Sequence, residues 1–83
     1  MTHALKCDPA FFKSIVDGVK TFDVRKHDRP FKVGDKLLLQ EFHQEDQKYT
    51  GKEWNGEITY ILDTPDYCKK NFVILGIAAK ESA

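Results

Sequence analysis

The sequence predicts a mostly β domain of the α+β class: a small barrel of five to six short strands with one short helix. Three observations predict it. The chain has 83 residues, which is room for one hydrophobic core and not for a second. Short stretches at 20–26, 36–42, 54–62 and 71–79 are rich in apolar and β-branched residues and are separated by polar turn residues, the pattern of buried and half-buried strands. One segment, after Asp8-Pro9, has helical spacing instead. An open sheet of so many strands would leave unpaired edges, so a strongly curved barrel is expected, with the helix plugging one side or end. Residues 1–83 are read as a single domain.

The elements follow in chain order. Residues 3–7 are long enough for a first strand. Asp8 can cap free backbone N–H groups, and Pro9 suits the first helical position. Phe11, Phe12, Ile15 and Val16 then make an apolar stripe at helical spacing, and Gly18 ends it. The expected helix covers 9–17. In the strand at 20–26, Phe22 and Val24 are expected on the core face and Thr21, Asp23 and Arg25 on the other. His27 to Pro30 is a polar turn. Lys32-Val33-Gly34-Asp35 is a second turn, with Gly34 free to take positive φ. Lys36 to Phe42 is a strand centred on Leu37, Leu38 and Leu39, and Gln44 to Lys48 joins it to the next as a hairpin loop. Ile58, Tyr60 and Leu62 are expected to share one face of the strand within 54–62. After a loop at 63–70, Phe72-Val73-Ile74-Leu75 reads as apolar on both faces and therefore central. Phe12, Phe22, Leu39 and Ile74 are expected in the core.

Composition narrows the function classes. The chain is 41% hydrophobic and 31% charged, ordinary for a soluble globular protein and too apolar for disorder. No long apolar run suggests a membrane span, and the first residues do not resemble a signal peptide. Cys7 and Cys68 are too far apart and too few for a disulfide framework, so reduced thiols and a cytoplasmic location are expected. The 13 basic and 13 acidic residues balance overall. They do not balance locally: Met1 to Lys36 holds eight basic and five acidic residues. A protein gripping a long phosphate backbone usually carries a larger basic excess, so a short or single nucleotide, or a local groove, suits this chain better.

The segment Gly18-Val19-Lys20-Thr21-Phe22-Asp23-Val24-Arg25 resembles the ASCH signature: glycine, any, lysine, any, any, glutamate, any, arginine, with aspartate in place of the glutamate. Phe31-Lys32-Val33-Gly34-Asp35 resembles the turn before the family's next strand, and Phe72-Val73-Ile74-Leu75-Gly76 its closing strand. The resemblance runs over nearly the whole chain and is closest to a short subfamily, frequent in bacteria and phages, labelled a domain of unknown function. It implies a PUA-like β-barrel, a fold commonly proposed to bind RNA. Some small bacterial members are similar amidohydrolases acting on N4-acetylated cytidine, with a lysine, a threonine three residues later and a glutamate further on. Lys20 matches the lysine, Asp23 stands at the threonine position, and no residue here matches the glutamate. A carboxylate cannot serve as a hydroxyl nucleophile, although it can act as a general base.

The residues themselves point to the same place. Asp23 and Arg25 share a strand face, and the long Lys20 side chain can swing to join them. Arginine offers a planar fork to a phosphate or base edge, lysine a point charge, and Asp23 can orient Arg25. The bland alternative is a surface ion pair. Thr21 can supply a hydroxyl, Arg29 a further cation, and Trp54, Tyr49 and Tyr67 stand in or near polar segments where a base could stack. His3, His27 and His43 lack ligand spacing, so no metal and no cofactor are expected. Cys7 reads as a small buried apolar residue. Cys68, beside Lys69 and Lys70, has no evident base. The leading expectation is an RNA- or nucleotide-binding domain centred on Lys20, Asp23 and Arg25. The alternatives are an amidohydrolase for an N4-acylated nucleoside, with Lys20 and Asp23 catalytic, and a protein-interaction module. No membrane partner is expected.

Overall fold

The computed structural model describes residues 1–80. Five strands and one helix follow one another: β1 (Thr2–Cys7), α1 (Pro9–Val16), β2 (Phe22–Lys26), β3 (Lys36–His43), β4 (Lys48–Leu62) and β5 (Phe72–Ala79). The strands form one sheet in the order β1-β3-β4-β5-β2, curled into a half-barrel. β1 runs parallel to β3, whereas β3–β4, β4–β5 and β5–β2 are antiparallel. A parallel pair requires a crossover connection, and here the crossover carries both α1 and β2. The expected small barrel with one short helix is thus an open half-barrel of five strands. Its two edge strands, β1 and β2, do not pair with each other, and the gap between them is a seam.

The core lies on the concave side. Leu37 and Leu39 of β3, Ile58 of β4, and Val73, Leu75 and Ile77 of β5 meet Leu5 and Cys7 of β1, Phe12 and Ile15 of α1, and Phe31. Full burial of one such side chain contributes about 1.5–3 kcal/mol. Helix α1 starts as expected: the Asp8 carboxylate accepts from the Ala10 N–H at 3.0 Å and Pro9 follows it. It ends at Gly18, which adopts φ +76° and donates its N–H to the Ile15 carbonyl. Only Phe12 and Ile15 are buried, and Phe11 and Val16 are exposed, so the apolar stripe is narrower than its spacing suggests.

Two strands face differently from expectation. In β2 it is Asp23 that is buried, while Phe22 and Val24 are exposed. β2 is an edge strand at the seam, and its concave side holds an ionic cluster rather than apolar neighbours. Phe22 and Val24 lie on the convex side, paired across the ladder with Gly76 and Ile74. Ile74 is likewise only half-buried, because β5 alternates strictly instead of being covered on both faces. In β4 a register shift between Ile58 and Tyr60 inserts an extra residue. Such a bulge changes which face follows: Ile58 is buried, Tyr60 is exposed, and Ile61 packs against the core.

A buried polar pair ties β1 to the turn before β3. His3 Nε2 lies 2.8 Å from Asp35 Oδ2, and the Lys32 backbone N–H donates to the same oxygen at 3.0 Å. The His3 ring also sits 4.8 Å from the Phe31 ring. The His3 hydrogen bond holds the Asp35 carboxyl below its ordinary pKa; burial opposes it and the Lys32 N–H assists. A carboxylate whose folded pKa is lowered contributes stability that is fully present above its unfolded pKa and is lost as pH falls through the folded one. Stability should therefore fall from about pH 4 downward. Asp35→Asn should flatten that acid limb in denaturant titrations across the range. A limb as steep as wild type would remove Asp35 from the account.

Candidate functional site

The seam forms a cleft of about 440 Å³, a size within the range of small-molecule sites, about 300–1,000 Å³. One wall is the end of β1 and the start of α1, with Lys6, Cys7, Asp8 and Phe11; the other is Lys20 and the β2 residues Phe22 to Arg25. The sequence places these residues together for local reasons. The Gly18 stop turns the chain out of α1, the N–H groups of Val19 and Lys20 both reach the Ser14 carbonyl at 3.0 Å, and β2 then starts along the seam.

Asp23 organises the cleft. Arg25 Nε donates to its Oδ2 at 2.6 Å and Lys20 Nζ to its Oδ1 at 3.5 Å. The Asp23 side chain is 6% exposed, Lys20 15% and Arg25 20%. The pair is therefore not the solvated surface bridge of the bland alternative. Because Arg25 uses only Nε here, its two terminal amino groups have no hydrogen-bond acceptor among the described residues. The Lys20 ammonium lies 4.4 Å from the Phe11 ring centroid and 5.2 Å from that of Phe22, where the ring faces attract a cation. Counting Lys6 and Asp8, the cleft carries one net positive charge.

Cys7 forms part of the wall. Burial raises its thiol pKa, the neighbouring Asp23 raises it further, and Arg25 and Lys20 oppose this. A thiol so held stays protonated at neutral pH and is a poor nucleophile. Among the described residues, no three His, Cys, Asp or Glu side chains converge as metal ligands, and no helix is long and apolar enough to cross a membrane.

Comparison with known proteins adds a family to this geometry. A family model described as a domain of unknown function, DUF3850, matches residues 2–77. The chain belongs to the DUF3850 family. The matched span includes every cleft residue. An uncharacterized 12.9 kDa protein in the GpA 3′ region of Escherichia phage P2 is 32% identical over 73 residues, covering 88% of this chain. The chain spans 64% of that relative's length.

Within this DUF3850 domain, Lys20, Asp23 and Arg25 meet in the cleft. The other sequence candidates do not join them. Thr21 is exposed just before β2, and its carbonyl accepts from the Ile77 N–H at 3.0 Å. Arg29 lies in the following turn, 3.5 Å from Asp28 and over the Phe31 ring. Trp54 packs against the core on β4. Tyr67 is 75% exposed in the loop between β4 and β5, outside the cleft. Sequence reasoning missed Phe11, Phe22 and Lys6 as cleft residues. Their signal lay in geometry: Phe11 sits one residue off the buried helical stripe, and Phe22 alternates with an acid that has two cationic partners nearby.

Proposed function

We propose that the seam cleft binds RNA or a nucleotide-like ligand, and that the half-barrel is a PUA-like domain of the ASCH type. The observation that carries this reading is the buried Asp23 holding Lys20 and Arg25 at a cleft bordered by the exposed rings of Phe11 and Phe22. The lysine, acid and arginine of the Gly18–Arg25 motif converge there. The free edge of the Arg25 guanidinium suits a phosphate or a base edge. A base stacked on Phe11 or Phe22 would add about 1–3 kcal/mol. Asp23 anchors both cations from behind, so neither needs to be ordered on binding. With no net positive charge on the chain, recognition is local.

Binding should be only moderately salt-sensitive. Two to four phosphate contacts on a single strand give a slope of log affinity against log salt of roughly −1.5 to −3. Titrating a fluorescent hexanucleotide RNA at several salt concentrations measures it. A slope steeper than about −5 would require a far larger basic surface and overturn the local reading. A second reading, a small amidohydrolase, is favoured by the mostly buried Lys20 standing 3.5 Å from a carboxylate beside a cleft. Release of product from an N4-acylated cytidine, with no RNA binding, would decide for it.

A further inference from the structure

A second concavity, of about 310 Å³, opens where β2 ends, bounded in part by His27, Asp63, Cys68, Lys69, Lys70 and Phe72. The backbone assembles it. The His27 N–H donates to the Asn71 carbonyl at 2.8 Å, extending the β2–β5 ladder one residue beyond Lys26. Asn71 takes a left-handed backbone conformation, φ 67°, and the Phe72 N–H closes a turn onto the Lys69 carbonyl at 2.9 Å. Lys69 and Lys70 are thereby set beside the end of β2. Among the described residues neither forms an ion pair with a carboxylate. The Lys69 ammonium rests 5.4 Å from the Phe72 ring centroid. Set against the one carboxylate of Asp63, the two lysines leave the concavity one net positive charge before His27 is counted.

The edge strand relates this place to the cleft. His27 follows Arg25 by two residues, and Phe72, paired with Lys26, lies on the same face as Phe22, which borders the cleft. At about 3.3 Å per residue Arg25 and His27 are about 6.6 Å apart, one nucleotide step of an extended single strand. We propose that the concavity at His27, Lys69 and Lys70 is a phosphate subsite. It takes the backbone phosphate adjoining the nucleotide held in the cleft, a role that rests on the reading of the cleft given above. β2 is then the rail along which a short single strand lies, with Lys20 and Arg25 at one step and Lys69 and Lys70 at the next.

The test compares Lys69→Ala/Lys70→Ala with wild type on three probes: a hexanucleotide RNA, a cytidine mononucleotide and inorganic phosphate. Both lysines are exposed, so the variant should fold. It should bind the hexanucleotide roughly tenfold more weakly, with a salt slope shallower by about 1.4, two contacts at about 0.7 each. Its mononucleotide affinity should stay unchanged, and arginine at both positions should restore binding. An unchanged hexanucleotide affinity, or an equal loss for both nucleotide probes, overturns the subsite. If wild type binds no RNA, the cleft reading fails by itself. The subsite is then decided by phosphate, which should shift the backbone amide resonances of His27 and Lys69 to Phe72 in wild type and not in the variant, where chloride at equal ionic strength does not. No shift with phosphate overturns it.

Discussion

Asp23→Ala is expected to destabilise the domain by about 2–4 kcal/mol and to weaken hexanucleotide RNA binding at least roughly tenfold. Asp23 is the acceptor for two mostly buried cations, Arg25 at 2.6 Å and Lys20 at 3.5 Å. Without it, both charges stay partly withdrawn from water with no counterion. Removing one member of a fully buried ion pair costs about 3–5 kcal/mol; the residual exposure of Lys20 and Arg25 lets water offset part of this. In a domain of this size the loss corresponds to a fall in Tm of roughly 10–30 °C. Binding falls for a different reason, since the guanidinium and ammonium lose their fixed positions. The single variants separate the two effects. Lys20→Ala leaves Asp23 its 2.6 Å partner and should destabilise by about 1 kcal/mol or less, whereas Arg25→Ala leaves the buried carboxylate only the lysine at 3.5 Å and should cost about 1–3 kcal/mol while also weakening binding. Asp23→Ala/Arg25→Ala should be more stable than Asp23→Ala, because it removes the stranded charge as well. Thermal melts of the four proteins check this ordering. An Asp23→Ala protein that melts with wild type would mean that the cluster is solvated and that Asp23 anchors nothing.

The strand content and the helix were legible because each has a local cause. Asp8-Pro9 at one end and Gly18 at the other bound a helix whatever surrounds it, and Gly34 marks a turn by its backbone freedom alone. The three residues of the candidate site were legible through their spacing and the ASCH resemblance. Which way β2 faces was not. Alternation puts Phe22 and Val24 on one side and Asp23 and Arg25 on the other, but it does not say which side is the core, and apolar residues normally win that choice. Here the strand borders an open seam, and a carboxylate with two cationic partners can be buried where a phenylalanine would have had no apolar cover. Barrel closure was illegible for a related reason: whether β1 and β2 pair depends on curvature, which no single segment encodes. The bulge between Ile58 and Tyr60 belongs to the same class, since it is set by how β4 meets β5 and leaves no mark in β4 itself.

Gly56→Ala is expected to destabilise the domain by about 2–3 kcal/mol, against the usual small gain from replacing a strand glycine. Gly56 is buried on β4, opposite Leu37 of β3 and Ala79 of β5. The Trp54 ring lies directly over its Cα, and a Cβ there would fall on both that ring and the Ala78 carbonyl oxygen. The ring can rotate away only by leaving the core cluster it packs against, and the carbonyl, being backbone in the β5 ladder, cannot swing at all. The substitution therefore strains two elements at once. Trp54→Phe places a smaller ring at the site, so combining it with Gly56→Ala should recover part of the loss, a coupling that a double-mutant cycle reads directly. The outcome also bears on function, because Trp54 is the aromatic residue whose polar neighbours made it look available for stacking. A ring pinned over Gly56 cannot stack on a base, so, on the proposed reading of the seam cleft, RNA added to wild type should bind without changing tryptophan fluorescence. If Gly56→Ala melts with wild type and RNA quenches Trp54, the ring is free, and the binding surface extends from the seam across β4.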